Sequence, residues 1–371
     1  MPVYQILSRT LLRARLAALT LLSTALAAAP LAAQSLYFPP DSGSWETVNP
    51  EQVGWSSTGL AAALQLAAER DSTGVVILYQ GRILAEGYWD AAGTPDEFKN
   101  FIVSTTPDGR TVEDVASAQK SVAAILTGIA QEKGLVRLDE TVSHYLGAGW
   151  SKASSEQEQQ ITLRHLLTMT SGLADDLSFQ AAAGSQWRYN TPAYHFVMRV
   201  LESASGMERN DLTKAWLTGP LGLSNTSWVP RPWASADIGV GLATTARELA
   251  RFGLMIAANG RWQDQVILGD REYLQAMLHP SQTLNPSYGY LWWLNGQEFT
   301  LGAGPRAPRS DGSMIPSAPD DLVAMQGAMD RKLYLVPSLN LVVTRLGAAG
   351  NADGKAFNDA FWEALMAARL H

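Results

Sequence analysis

The sequence predicts an α+β fold of the α/β-sandwich type, in which helices flank one antiparallel sheet and a mostly helical region is inserted. β-rich runs lie near both ends of the chain, at 75–89 and 332–346, and helical patterns at 57–69 and 355–370 lie outside them. The intervening residues, from about 135 to 230, are mostly helix and loop. One sheet built from both ends and covered by the terminal helices is the simplest arrangement. We expect the functional site in the cleft between the sheet and the helical region.

The first half of the chain supplies a helix, a hairpin and a second helix. Residues 57–69 place Leu60, Leu64 and Ala67 near one helix face. VVILY (75–79) and RILAEGYW (82–89) are separated by Gln-Gly, which predicts a β-hairpin. Residues 117–133 carry apolar residues at helical spacing, and a glycine follows them.

The second half predicts another helix and three late strands. Residues 245–258 form an amphipathic pattern, and YGYLWWL (288–294) is typical of a strand. KLYLV (332–336) and LVVTRL (341–346) are joined by the turn PSLN, which makes a second hairpin.

The N-terminal 33 residues are typical of a secretory signal peptide. Three arginines precede the apolar run LAALTLLSTALAAA, and small residues follow it. A membrane anchor is the alternative, but the run is shorter than the ~20 residues that span a bilayer. We therefore predict one catalytic domain over 34–371, periplasmic or secreted from a bacterium and not inserted stably in a membrane after cleavage.

Composition narrows the classes of function and site. The chain has a net charge of −7, and removal of the arginine-bearing leader makes the remainder more acidic, which argues against a nucleic-acid partner. It contains no cysteine, which excludes disulfides, thiolate metal sites and a cysteine nucleophile. We predict no metal or other cofactor, and the sequence does not indicate the oligomeric state.

The segment SAQK places Ser117 and Lys120 three residues apart on one predicted helix face. A serine hydroxyl needs a base, and a lysine amine that burial keeps neutral can serve as one. Ser-x-x-Lys also occurs by chance about once in a chain of this length, so the motif alone leaves both readings open. The histidines show no metal-type spacing and no Gly-x-Ser-x-Gly elbow occurs, although a Ser-His-Asp triad of distant residues stays possible.

Seven ordered segments over about 45–369 resemble the serine β-lactamase and penicillin-binding-protein-like hydrolases, and are most similar to the class C branch with its esterases and aminohexanoate-oligomer hydrolases. The segments are VVILYQGRILAEGYW, SAQKSVAAILTGIAQEKGLVRLDETVSHYL, ITLRHLLTMTSGL, QWRYNTPAYHF, GLATTARELARFG, YGYLWWLN and LYLVPSLNLVVTRLG. The resemblance implies a β-lactamase/transpeptidase-like fold.

By this resemblance Ser117 is the acylated nucleophile, Lys120 its proton acceptor or relay, and Tyr189 the phenol that shuttles protons. We expect an ammonium beside Tyr189 to lower the pKa of the phenol. The family's second motif ends in asparagine, but Thr191 occupies that place here, as on the esterase side of the family, and is predicted to contact substrate.

The family's third motif normally carries a cation on a core strand. Counting back without gaps from LYLVP places Leu322-Val323-Ala324 at the motif, without a cation, and gives the second oxyanion N–H to Met325. The missing cation favours neutral small-molecule or peptide-like esters and amides.

The predicted function is therefore an exported serine hydrolase that cleaves ester or amide bonds. A β-lactamase or cell-wall D,D-peptidase is one alternative, and a catalytically silent scaffold on the same fold is another.

Overall fold

A computed structural model describes residues 36–91, 96–235, 238–304, 308–351 and 354–370. The predicted signal peptide lies outside these residues, so the domain boundary at residue 34 stays a prediction. No helix in the described ranges is long and apolar enough to cross a bilayer.

The main sheet has six strands, and each neighbouring pair is antiparallel, in the order β2-β1-β14-β13-β12-β9. Its hairpins come from the two ends of the chain, as predicted. The strands are β1 (Ser72–Tyr79), β2 (Arg82–Tyr88), β9 (Trp293–Leu294), β12 (Val323–Gly327), β13 (Arg331–Val336) and β14 (Leu341–Gly347).

A smaller antiparallel sheet, not predicted from the sequence, has the order β3-β4-β6-β5, and two short ribbons pair β7 with β8 and β10 with β11. The bounds are β3 (Ile102–Thr105), β4 (Thr111–Asp114), β5 (Ser227–Pro230), β6 (Val240–Thr244), β7 (Arg261–Trp262), β8 (Gln265–Val266), β10 (Phe299–Leu301) and β11 (Arg309–Asp311).

Helices lie on both faces of the main sheet. The helices are α1 (Ser57–Glu69), α2 (Asp96–Lys99), α3 (Gln119–Glu132), α4 (Val142–Leu146), α5 (Ser155–Glu158), α6 (Leu163–Leu167), α7 (Thr191–Ser205), α8 (Arg209–Thr213), α9 (Ala246–Ala257), α10 (Arg271–Met277) and α11 (Phe357–Ala367). The α+β fold class predicted from the sequence is thus confirmed, with the inserted region made of the short helices α4, α5, α6 and α8 and the longer α7.

The alternation of side chains along β13 shows which helix covers which face. Leu333 lies under α9, where a Cβ added to Gly253 would come 3.2 Å from its side chain. Tyr334, the next residue, packs edge-on against Trp362 of α11 at 5.4 Å between ring centroids. Since successive side chains on a strand point to opposite faces, α9 and α11 cover opposite faces of the sheet.

Helices α1 and α11 pack closely because Gly59 leaves no side chain between them. A Cβ at Gly59 would come 2.7 Å from the Cα and Cβ of Ala368. The terminal helices therefore cover the sheet together, as the sequence indicates.

The strand predicted at 288–294 is largely wrong. Only Trp293–Leu294 pairs in the sheet, while the preceding residues turn, and Leu291 adopts a left-handed φ of 58°. These residues are apolar because they are buried, although most of them lie in a turn. A run of buried apolar residues in a turn has the same sequence pattern as a buried strand, so the pattern did not distinguish the two.

Candidate active site

Ser117 lies in a sharp turn between β4 and α3. The turn, Ala116–Ala118, is a single 3₁₀ segment, and Ala116 adopts a left-handed φ of 49°. A non-glycine residue in this region is strained, and such strain persists where the surroundings impose it. The Ala116 N–H donates to the Asp114 carboxylate at 2.8 Å, which holds the turn.

A buried ion pair fixes Asp114 in turn. The Arg231 guanidinium donates to both carboxylate oxygens of Asp114, at 2.5 and 2.7 Å, and to the Gln119 side-chain oxygen at 3.0 Å. The Leu242 N–H donates to the same Gln119 oxygen at 3.0 Å, which ties α3 to β6. None of these supporting residues was predicted from the sequence. Arg231 and Leu242 lie more than a hundred residues along the chain from the residues that they contact.

Lys120 is in contact with Ser117, as the three-residue spacing predicts. Its Nζ lies 2.9 Å from Ser117 Oγ and donates to it, and the side chain is only 2% exposed. The amine also lies 4.8 Å from the ring centroids of Tyr189 and Tyr194. Desolvation lowers the pKa of Lys120 well below 10.5, and the positive charge of Arg231 lowers it further. The structure thus favours a neutral amine beside the serine hydroxyl.

Tyr189 lies two residues before the start of α7, and its hydroxyl also contacts Ser117. Burial raises the pKa of the phenol to about 12, although a hydrogen bond with Ser117 opposes the increase. The pKa expected from the sequence, lowered by a neighbouring ammonium, is therefore wrong, because Lys120 is itself desolvated toward its neutral form. The phenol stays protonated and is suited to donate or relay a proton.

Asn190 and Thr191 follow Tyr189 in the sequence and form the beginning of α7. Asn190 caps α7 by accepting from the Ala193 N–H at 2.9 Å, and its amide donates to the carbonyls of Leu173 and Ala174. Thr191 is the first residue of α7 and is half-buried, and it is not among the residues around the cavity next to Ser117. Its predicted contact with substrate stays a prediction.

Asn190→Ala is expected to lower the free energy of unfolding by about 2–3 kcal/mol, because a helix cap is lost and two buried carbonyls lose their donor. Thr191→Ala is the matched control, since no hydrogen bond of its side chain occurs within the described ranges, and it should change stability by about 0.5 kcal/mol or less. Urea unfolding measures both. Equal losses in the two variants would contradict the capping role.

A cavity of about 450 Å³ opens at Ser117 and runs along the end of β12. Aromatic rings form one wall, where Tyr189 stacks on Trp293 at 5.8 Å between centroids, and Tyr288 packs edge-on against Trp293. The described residues that line the cavity are Ser117, Tyr189, Trp293, Thr300, Gly302, Ala303, Met314, Gln326, Gly327, Ala328 and Lys332.

The end of β12 approaches the serine turn at Gly327. A Cβ added there would come 2.2 Å from the Val115 carbonyl oxygen, so only glycine allows this approach. The residue that approaches the serine turn is thus Gly327, three residues after Ala324, the last position of the motif counted from the sequence. Met325 is fully buried and does not line the cavity, whereas Ala328, the residue after the glycine, does.

No group of three or more histidine or acidic side chains is placed to hold a metal ion in the part of the chain that the structure describes.

Comparison with known proteins gives the same fold. The sequence model of the family described as Beta-lactamase matches residues 60–346, more than half of the chain. An uncharacterized protein of Alkalihalophilus pseudofirmus is 22% identical over 307 residues, which cover 76% of this chain and 85% of that protein.

Among solved structures, a putative beta-lactamase from Bacteroides dorei is similar, with a TM-score of 0.63, 19% identity, and coverage of 85% of this chain and 99% of the other. A putative 6-aminohexanoate-dimer hydrolase from Bacillus anthracis has a TM-score of 0.61, 14% identity, and coverage of 90% and 88%. At these identities the likeness is one of fold.

Proposed function

The chain belongs to the beta-lactamase family, and from this premise we propose that it is a serine hydrolase that cleaves ester or amide bonds through an acyl-enzyme on Ser117. The observation that carries the proposal is the 2.9 Å contact between Ser117 Oγ and the buried Lys120 amine. A neutral amine at this distance can accept the proton of the hydroxyl as the oxygen attacks a carbonyl carbon. The similarity in fold to a putative 6-aminohexanoate-dimer hydrolase supports an amide as one kind of bond cleaved.

The proposed reaction has two steps. In the first, a bond forms between Ser117 Oγ and the carbonyl carbon, and the Ser117 proton passes to Lys120. The bond to the leaving group then breaks, and the Tyr189 hydroxyl relays the proton from Lys120 to the departing oxygen or nitrogen. In the second, a water molecule attacks the acyl carbon and gives a proton to the same pair. The bond between the acyl carbon and Ser117 Oγ then breaks, the pair returns the proton to Oγ, and the acid is released.

The backbone N–H groups of Ser117 and Ala328 are proposed to hold the oxyanion. The approach of Gly327 to the serine turn brings Ala328 to the cavity that Ser117 lines. Donors fixed by the backbone stabilise the developing charge without reorganisation. In this proposal Ala328 replaces Met325, the residue expected from the sequence to supply the second oxyanion N–H.

Pre-steady-state hydrolysis of p-nitrophenyl acetate tests the proposal. We expect a burst of p-nitrophenol equal to the concentration of active enzyme, followed by slower turnover as water releases the acetyl group. Linear release from the first turnover, with no acetylated protein, would contradict an acyl-enzyme. A folded protein that neither turns over esters nor reacts with a fluorophosphonate would support the silent scaffold.

The pH dependence should report the Lys120 amine. Because the neutral amine is the base and its pKa is lowered, kcat/KM should rise with pH through a midpoint well below 10.5 and then level off. Tyr189 stays protonated across this range, since its pKa is raised to about 12. The profile is measured with a neutral ester after subtraction of the Ser117→Ala rate. A midpoint at or above 10.5 would contradict the assignment of Lys120 as base.

Export is proposed on the leader pattern of residues 1–33 alone. Mass analysis of the N-terminus, after expression in a bacterium and recovery from the periplasm, should find a chain that starts near residue 34. An intact N-terminus on protein in the cytoplasm would contradict export.

A further inference from the structure

Lys332 places a basic side chain at the cavity, whereas β12, the strand on which a cation was expected, contains no basic residue. Among the described residues that line the cavity, Lys332 is the only basic side chain, and none is acidic. It lies on β13, in register with Gln326 of β12. The sequence-based expectation considered only the segment Leu322-Val323-Ala324, which contains no basic residue.

The alternation of β13 explains how Lys332 reaches this place. Tyr334, two residues later, faces α11, so Lys332 points to the same face. Its side chain is 6% exposed, and the Nζ donates to the Gln326 side-chain oxygen at 2.9 Å. The α11 residue Asn358 donates to the same oxygen at 3.3 Å. The amine is thereby held at the end of β12, beside the cavity.

The Lys332 ammonium keeps donor capacity for a ligand. Of its three N–H groups, one donates to Gln326 and a second faces the Asp330 carboxylate at 3.5 Å, which among the described residues leaves the third for a ligand. The Asp330 carboxylate lies 3.5 Å away and also accepts the Gly350 N–H at 3.0 Å, so it is shared. Burial lowers the pKa of Lys332 from 10.5, Asp330 opposes this decrease, and Arg345, its partner on β14, adds to it, so a carboxylate bound at the amine would favour the charged form.

The Gln326 amide adds a second donor beside the ammonium. Its Nε2 donates to the Met314 sulfur at 2.9 Å, and a thioether is a weak acceptor. A carboxylate entering the cavity would be a better acceptor for the same N–H. An ammonium and an amide N–H at one end of a cavity form a site suited to a carboxylate.

We propose that Lys332, with Gln326, binds a carboxylate of the substrate, so that the preferred substrates are anionic esters or amides rather than neutral ones. The inference rests on the proposed function, since it places the carboxylate in the cavity that Ser117 opens into. It replaces the preference for neutral substrates that the sequence suggested. The cation comes from the neighbouring strand instead of β12.

Matched esters that differ only in charge test the proposal. The mono-p-nitrophenyl esters of adipic and suberic acid carry a free carboxylate, and their methyl-capped analogues do not. For at least one chain length, the wild-type protein should favour the charged ester in kcat/KM by about ten- to a hundredfold, as one charge-assisted contact supplies. Lys332→Met should abolish that preference by lowering kcat/KM for the charged ester at least about tenfold more than for the methyl-capped ester. Lys332→Arg, which keeps the charge, should retain part of it.

The outcomes separate this inference from the proposed function. If neither ester acylates Ser117, the proposed function fails. If the methyl-capped esters acylate Ser117 but charged esters of both lengths are not preferred, or Lys332→Met lowers both rates equally, the carboxylate site is overturned. Should Lys332→Met not fold, adipate and adipamide are compared as inhibitors of methyl-capped ester turnover by the wild-type protein. Inhibition by adipate alone, weakened by salt, supports the site, and equal or absent inhibition overturns it.

Discussion

Ser117→Ala is expected to reduce kcat/KM for p-nitrophenyl acetate by at least about 10³-fold, because removal of a nucleophile leaves only binding and oxyanion stabilisation. The fold should be unaffected, since Ser117 is half-buried at the cavity and its hydroxyl forms no contact that holds the turn. The turn is held instead by Asp114 and its ion pair with Arg231. Steady-state kinetics and circular dichroism measure the two effects.

Ser121→Ala is the matched control, one turn further along α3. Its hydroxyl donates to the Leu291 carbonyl at 2.6 Å and does not line the cavity. The variant should lose about 1–2 kcal/mol of stability yet keep its activity within about threefold. If Ser117→Ala stays as active as Ser121→Ala, Ser117 is not the nucleophile.

Lys120→Met is expected to lower kcat/KM by about 10²–10⁴-fold, the range for loss of a general base. Methionine keeps the apolar stem that packs in the buried position of Lys120 and removes the amine. Folding stability should fall little or rise, because a desolvated amine is costly to bury. The measurement is kcat/KM for a neutral ester together with urea unfolding.

Lys120→Arg distinguishes a base from a positive charge that stabilises the oxyanion. Arginine keeps the charge but does not deprotonate in proteins, so it cannot accept the Ser117 proton. We expect Lys120→Arg to be as impaired as Lys120→Met and to lose the rising limb of the pH profile. Near-normal activity of a folded Lys120→Arg variant would contradict the base.

Periodicity predicted the main helices and sheet because these elements have one buried face or are buried throughout. The helix predicted at 57–69 is α1, and the pattern at 245–258 contains α9, Ala246–Ala257. The small sheet of β3 to β6 was not predicted, because strands of four or five residues carry too few alternations to register.

The bounds of β12 could not be predicted by counting back from β13, because the sequence between the two strands does not indicate a turn. Residues 328–330 connect β12 to β13, and Met329 and Asp330 both adopt left-handed φ values, of 57° and 59°. Such positions usually hold glycine or asparagine, so methionine gave no sign of a turn. The apolar residues before Gln326 are buried on both faces, so alternation does not fix the register either.

At the site, the local spacing of Ser117 and Lys120 was predictable and the long-range support was not. A spacing of three residues places two side chains on one face whatever surrounds them. The ion pair between Asp114 and Arg231 and the alignment of Gln326 with Lys332 depend on how distant strands pair. Lys332 offered one sign, since it and Arg331 are the two basic residues at the start of a strand whose other residues are Leu, Tyr and Val.

The central claim is the covalent intermediate on Ser117, and mass spectrometry tests it most directly. The protein is acid-quenched during turnover of p-nitrophenyl acetate, weighed intact, and digested to locate the adduct. We predict one acetyl group per chain, on the peptide that contains Ser117, and none in Ser117→Ala. An acetyl group on another residue that forms and decays at the turnover rate, or turnover without any adduct on Ser117, would contradict the account.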